Sequence, residues 1–338
     1  MNKKLLSIIL VLALAFTIVA CGKKDAPAAD SGAETIEMAL HRGYGAPNGE
    51  KAVARFAVLV NGDKIVDALI DEFQYFPADG GFVAVPNSDA GFGEGAAEGM
   101  ILGTKLENAE AYSKMMNEYA GSTVSIDKNY QAIVDFVKGK TIDEVEKAVA
   151  SKAEDGTVDG VTGATLVDTA NYLQGIVDVA KSDAFVSKVM ASNPDNVMLK
   201  QIYGAPHGDK AFGDAVVAMD GDVVAGASID EFQYFGTNGL VNSDKEFGQG
   251  YASSEAQLAS KLESSEAYSA LMAEKAGSTI DLKSNYNAIE EFVIGKTAKE
   301  IQSTVDENEA GKPVDAVTGA TLVDTVGYLQ LIVDAANK

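Results

Sequence analysis

The chain repeats itself. Tyr44-Gly45-Ala46-Pro47 returns as Tyr203-Gly204-Ala205-Pro206, and Asp71-Glu72-Phe73-Gln74-Tyr75-Phe76 returns as Asp230-Glu231-Phe232-Gln233-Tyr234-Phe235, both offset by 159 residues (203 − 44 and 230 − 71). Further along, Ala120-Gly121-Ser122-Thr123 matches Ala276-Gly277-Ser278-Thr279, and Gly139-Lys140-Thr141 matches Gly295-Lys296-Thr297, at an offset of 156 (276 − 120). Between these, Asn87-Ser88-Asp89 and Asn242-Ser243-Asp244 place the extra residues of the first copy around Pro77 to Val85. A solenoid stacks many short units that cannot bury a core alone. A unit this long, seen twice, is a duplicated domain with a core of its own. The copies are placed at 34–182 and 196–338, with 183–195 as a linker and Ser192-Asn193-Pro194-Asp195-Asn196 marking the break.

Each copy mixes strand and helix signals. Ala52 to Val60 and Ala215 to Val224 are β-rich, and Asn61-Gly62-Asp63 and Asp220-Gly221-Asp222 read as hairpin turns. Asp71–Phe76 and Asp230–Phe235 read as further strands, their aromatic residues as core. Asn129 to Val137 has helical periodicity and stops at Gly139; Thr141-x-x-Glu144 and Thr297-x-x-Glu300 have the form of capping boxes. Strands first and helices later predict an α+β fold, each copy a mainly antiparallel sheet with packed helices.

The N-terminus reads as an address. Lys3 and Lys4 precede an uncharged apolar stretch, Leu5 to Val19, short for a membrane span and suited to a signal peptide over 1–20. Ile18-Val19-Ala20-Cys21 resembles the bacterial lipobox, which implies cleavage before Cys21 and lipidation of its thiol. A plain signal peptide cut near Ala20, or an uncleaved anchor, is the alternative. Residues 21–33 lack large apolar side chains and read as a flexible tether. Cys21 is the only cysteine, which excludes internal disulfides, cysteine-ligated iron–sulfur clusters and Cys-x-x-Cys-His haem. His41 and His207 are too few for a histidine-rich metal site, so any redox cofactor must be organic. With 50 acidic against 27 basic residues the chain carries a net charge of −23, which argues against nucleic acid as a partner.

Near each C-terminal end stands one motif, Asp159-Gly160-Val161-Thr162-Gly163-Ala164-Thr165 and Asp315-Ala316-Val317-Thr318-Gly319-Ala320-Thr321. An amphipathic helix follows, with Leu166, Ala170, Leu173 and Val177, or Leu322, Val326, Leu329 and Val333, on one face. Thr-Gly-Ala-Thr before a helix is a tight turn that delivers a hydroxyl to the helix N-terminus, where unpaired N–H groups suit a phosphate. Such a threonine can cap the helix, bind a phosphate or be esterified by one, and the residues alone leave these open.

The string Asp-x-x-Thr-Gly-Ala-Thr resembles the acceptor motif of the FMN-binding domain family, found in subunits of sodium-pumping quinone reductases and related electron-transfer complexes. The resemblance implies that a Mg-dependent flavin transferase, with FAD as donor, joins FMN to the last threonine as a phosphoester. Thr165 and Thr321 are then the acceptors, with Asp159, Thr162, Gly163 and Ala164, and Asp315, Thr318, Gly319 and Ala320, as recognition positions. A lipobox followed by two such domains is similar to the flavinylated lipoproteins of Gram-positive extracellular electron transfer. That implies a protein anchored on the outer face of the cell membrane with two covalent FMN groups. Electrons would pass from the quinol pool, through an NADH dehydrogenase system, to ferric iron, soluble flavins or another external acceptor. It would be an electron carrier with neither a catalytic residue set nor a metal. The alternative is a solute- or phosphate-binding surface lipoprotein without covalent flavin. Tyr44-Gly45-Ala46-Pro47 and its copy read either as turns or as loops offering an aromatic face to a flavin ring. The spaced glycines Gly91, Gly93 and Gly95 follow no apolar strand and are set aside as a dinucleotide signal.

Overall fold

In the strand Ala52–Asn61 every residue but the last is buried, and the same holds for Ala211–Asp220 in the second copy. A strand with no wet face needs a layer on both sides. Helices supply one of them, and the other copy's sheet supplies the second. The computed structural model describes residues 34–154 and 156–338, of which Glu34–Lys338 form one compact unit. The expected signal peptide, Cys21 and tether fall in residues 1–33, outside the described residues.

The fold is α+β with two antiparallel sheets. The first contains β1 (Ile36–Gly45), β2 (Ala52–Asn61), β3 (Lys64–Pro77), β4 (Met100–Thr104) and β5 (Val186–Ala191) in the order β4-β3-β2-β1-β5. Helices α1 (Ala109–Ala120), α2 (Ile126–Val137), α3 (Ile142–Ala150) and α4 (Thr169–Ala180) complete that half. The second sheet joins β6 (Met198–Gly204), β7 (Ala211–Asp220), β8 (Val223–Tyr234) and β10 (Lys296–Thr297) in the order β10-β8-β7-β6, with β9 (Leu258–Ser260) also on β8. Its helices are α5 (Ser265–Ala276), α6 (Leu282–Val293), α7 (Ala298–Glu307) and α8 (Thr325–Asn337). Gly62 and Gly221 take φ of +64° and +62° in the β2–β3 and β7–β8 turns, the left-handed region a two-residue hairpin demands. Both capping boxes form, Thr141 with Glu144 and Thr297 with Glu300.

Alternation along β2 divides its side chains between two cores. Phe56, Val58 and Val60 face Ile133 and Val137 of α2 and Leu173 and Ile176 of α4. Ala57 and Leu59 face the other way, with Leu40, onto Val216 and Ala218 of β7. At one end of this joint lies an aromatic cluster in which Phe73 and Phe232 meet at 4.8 Å between ring centres and the hydroxyls of Tyr75 and Tyr234 at 2.6 Å. The contacts are reciprocal. Asn87 Nδ2 donates to the carbonyls of Gly208 and Ala211, and Asn242 Nδ2 to those of Gly49 and Ala52.

Charges are buried in the same joint. Arg42 and Arg55 both reach Asp214 Oδ2, Arg55 Nε at 3.1 Å, and all three side chains are fully buried. The Tyr44 hydroxyl donates to Asp230 and the Tyr203 hydroxyl to Asp71 (3.0 Å). Burial pushes Asp71 up to about 6 against the pull of Arg55, and pushes Asp230 up as well. The Tyr-Gly-Ala-Pro tyrosines therefore serve the joint between the sheets.

Two expectations need correction. The stretch 183–195, read as a linker, contains β5, which pairs with β1 from Ile36↔Ala191 to His41↔Val186 and completes the first sheet. Its alternation is real, with Ser187, Val189 and Ala191 buried, but six residues with a central lysine are too short to stand out. Only the turn Pro194–Asn196 separates the copies, which share an interior and do not stand apart as beads on a string.

Two outcomes follow. Asp214→Ala strands two buried guanidinium groups and should cost about 3–5 kcal/mol in chemical denaturation. Burial also pushes Glu290 of α6 from 4.5 to about 7, although it accepts the Ile229 N–H at 2.8 Å. Between these values the unfolded chain releases a proton that the folded chain keeps, so stability falls as pH rises through that window. Glu290→Gln should therefore unfold later than the parent at pH 8, by about 1.4 kcal/mol for each tenfold change in proton affinity it removes, and the gain should vanish below about pH 4.5.

Candidate functional site

Because the inner face of each sheet is spent on the other copy, open space near the motifs lies on the helical side. The last turn of α1 ends at Gly121 (φ +65°), which turns the chain into Ser122-Thr123 and on to α2. Opposite this turn run Thr165 to Asp168. Between them lies a cavity of about 350 Å³, and its counterpart among α5, Gly277 (φ +65°), α6 and Thr321 to Asp324 measures about 510 Å³. Thr165 lines the first and Thr321 the second.

One buried asparagine places each hydroxyl. Asn129 Oδ1 accepts the Thr165 backbone N–H at 2.6 Å and faces its Oγ1 at 3.3 Å; Asn285 does the same for Thr321 at the same distances. The amide nitrogens are occupied by carbonyls at the start of the helix, Val124 and Ser125 for Asn129, and Ile280 and Asp281 for Asn285. Both side chains are buried, so the threonine is referenced to a rigid helix end. Gly163 and Gly319 take φ of +97°, strained for any other residue, and a Cβ added there would lie 3.6 Å from Ala132 Cβ and 3.4 Å from Ala288 Cβ.

The expected helix start is corrected here. Helices α4 and α8 begin at Thr169 and Thr325, four residues past the acceptor positions, and Leu166 and Leu322 belong to the turn, where their carbonyls accept the Thr169 and Thr325 hydroxyls. The hydroxyls of Thr165 and Thr321 are thus held by α2 and α6, not by the helix that follows. Of the motif residues, Asp159, Thr162, Gly163, Asp315, Thr318 and Gly319 are exposed on the outer side of the turn; Ala164 is half-buried and Ala320 buried. The cavity walls contain only Thr165 and Thr321 from the motif.

Each copy has a buried glutamate–lysine pair, linked to the first cavity through Asn48 and lining the second through Lys261. Buried Glu72 accepts from Lys105 and from the hydroxyls of Tyr130 (2.6 Å) and Tyr172 (2.7 Å). Buried Glu231 is met by Lys261, Tyr328 (2.7 Å) and His207 (3.4 Å). Burial raises Glu231, but Lys261 and His207 outweigh it and hold the carboxyl down to about 2. Both lysines resist deprotonation despite burial, because the glutamate favours the cation. With its amide oriented to satisfy both neighbours, Asn48 accepts from Lys105 Nζ (2.6 Å) and donates to Asp168 (3.1 Å). Burial and nearby Glu72 push Asp168 up. The outer lips are apolar: Met116 and Val167 at the first cavity, Leu271, Met272 and Val323 at the second, with Val167 73% exposed.

Asn129, Asn285 and the Glu–Lys pairs went unnoticed in the sequence reading. Their signal was present, since Asn129-Tyr130 returns as Asn285-Tyr286 at the same offset as the motifs. No family model, curated protein or solved structure matches the chain.

Each site thus combines a fixed hydroxyl with a lined slot, and at the second cavity Lys261 and His207 add basic side chains to the wall. Asn129→Ala removes the acceptor of the Thr165 N–H and the donor to two carbonyls. It should cost about 1–3 kcal/mol in chemical denaturation, with Asn285→Ala matching it in the second copy.

Proposed function

We propose that this chain is a flavin-bearing electron carrier of the FMN-binding domain type, with one FMN joined through its phosphate to Thr165 and another to Thr321. One observation carries the reading: two hydroxyls in matching motifs lie at matching cavities, each held by a buried asparagine and faced by exposed apolar lips. The flavin supplies reversible uptake and release of electrons. The chain's own residues do the rest. Asn129 and Asn285 hold the acceptor oxygen in place for the incoming phosphoryl group. Met116 with Val167, and Met272 with Val323, line the apolar lips against which a flavin ring would be held. The exposed flank of the turn, Asp159-x-x-Thr162 and Asp315-x-x-Thr318, is free to be read by a Mg-dependent transferase that uses FAD.

In this reading Cys21 carries the acyl chains that hold the protein to the outer face of the cell membrane, each buried methylene contributing about 0.8 kcal/mol. Among the described residues no helix is long and apolar enough to cross a membrane. Electrons enter from a quinone-linked NADH dehydrogenase system and leave to ferric iron, soluble flavins or similar acceptors. A covalent bond suits that position, because a loosely held cofactor is lost where free ligand is scarce.

Intact mass of protein made with and without the transferase tests the proposal. Two FMN additions are expected with the enzyme and none without it, one being lost in Thr165→Ala, one in Thr321→Ala, and both in the double variant. Unchanged mass in the presence of active transferase overturns it.

A further inference from the structure

The two cavities share most of their wall residues at equivalent positions, yet they differ in charge. Where the first copy has Asn48, the second has His207, which lies 3.1 Å from Lys261 Nζ and 3.7 Å from Asp324. Where the first has Tyr119, the second has Lys275, which reaches the wall. Lys105 is covered by Asn48, whereas Lys261 itself lines the second cavity. The wall at Thr321 thus presents Lys261, Lys275 and His207 against Asp324, while the wall at Thr165 presents Asp168 and, among its described residues, no cation. Three offsets act in the other direction. Lys261 is paired with buried Glu231 as Lys105 is with Glu72, so Lys275 and the imidazole of His207 carry the difference; Lys275 lies 2.7 Å from Glu274, both exposed; and Lys114, replaced by Ala270 in the second copy, stands exposed on α1 outside the first wall.

We infer that the Thr321 cavity is the preferred seat of negative charge: it takes an anionic ligand ahead of the Thr165 cavity and, resting on the reading proposed above, holds its flavin at the higher reduction potential. The physical reason is that cations in a sheltered wall favour the added charge of a phosphate or of a reduced ring. The resulting exchange balances. Two electrons move from the Thr165 site to the Thr321 site, and the protons released at the first and taken up at the second pass through water. The two sites then form a directed pair, the first nearer in potential to the quinol-linked donor and the second to the external acceptor.

Two measurements decide this. First, free FMN is titrated into protein made without the transferase, and the amide signals of Gly121-Ser122 and Gly277-Ser278 are followed by NMR. The second pair should respond at about tenfold lower concentration. His207→Asn combined with Lys275→Tyr, which copies the first cavity, should abolish the difference, and Asn48→His should narrow it from the other side. Equal response in the parent protein, or a first-cavity preference, overturns the inference. Second, Thr165→Ala and Thr321→Ala proteins, each carrying one flavin, are titrated spectroelectrochemically. The flavin at Thr321 should be reduced first, a tenfold preference corresponding to about 30 mV for a two-electron couple. Equal or inverted potentials overturn the inference while covalent flavinylation stands. If the mass shows no flavin, flavinylation fails and the FMN titration alone decides the charge asymmetry.

Discussion

Strands β2 and β7 have no side left for water, and most of the architecture follows from that. Each hairpin must bury one face under helices and the other against a second sheet, so neither copy is complete without its twin. Polar groups trapped in such a joint must find partners within it, because an unpaired buried charge costs far more than a paired one contributes. Arg42 and Arg55 converge on Asp214, and Tyr44 and Tyr203 cross over to Asp230 and Asp71. The copies have diverged at these places: Arg42 corresponds to Gln201, and Arg55 to Asp214. That divergence makes the two faces complementary to each other and no longer to themselves, which favours pairing within one chain over pairing between chains.

The same constraint decides where a ligand can sit. With the inner faces spent, the accessible hollows near the motifs lie where α1 gives way to α2 and α5 to α6, beside the turns that carry Thr165 and Thr321. The asparagines at the starts of α2 and α6 tie those turns to the helical layer. The Glu72–Lys105 and Glu231–Lys261 pairs sit between the cavity and the sheet and are stiffened by tyrosine hydroxyls. A site built this way is rigid at its base and open at its lip, which is what the proposed electron carrier requires.

Much of this was legible along the chain. The hairpins, the capping boxes and the α+β class follow from local rules: glycine at positive φ, threonine three residues before glutamate, and a period of two giving way to a helical one. The repeat itself singled out the motif turns. The asparagine supports were visible only as a shared Asn-Tyr pair, because nothing local says that a side chain 36 residues upstream will reach back to a threonine. The start of α4 was misplaced because apolar spacing carries Leu166 into the helical stripe, whereas the turn set by Gly163 delays the helix to Thr169.

The sequence by itself determined the duplication, the class of each copy and the paired motifs, since all of these depend on neighbours in the chain or on identity between copies. Only the tertiary structure decided that the copies share one interior, that 183–195 closes a sheet, that the Tyr-Gly-Ala-Pro loops serve the joint, and that His207 and Lys275 enter one cavity while Asn48 screens the other. The reason is physical. Local propensity is written residue by residue, but burial and electrostatic partnership belong to groups more than a hundred residues apart, and they come into being only when the two sheets close on each other.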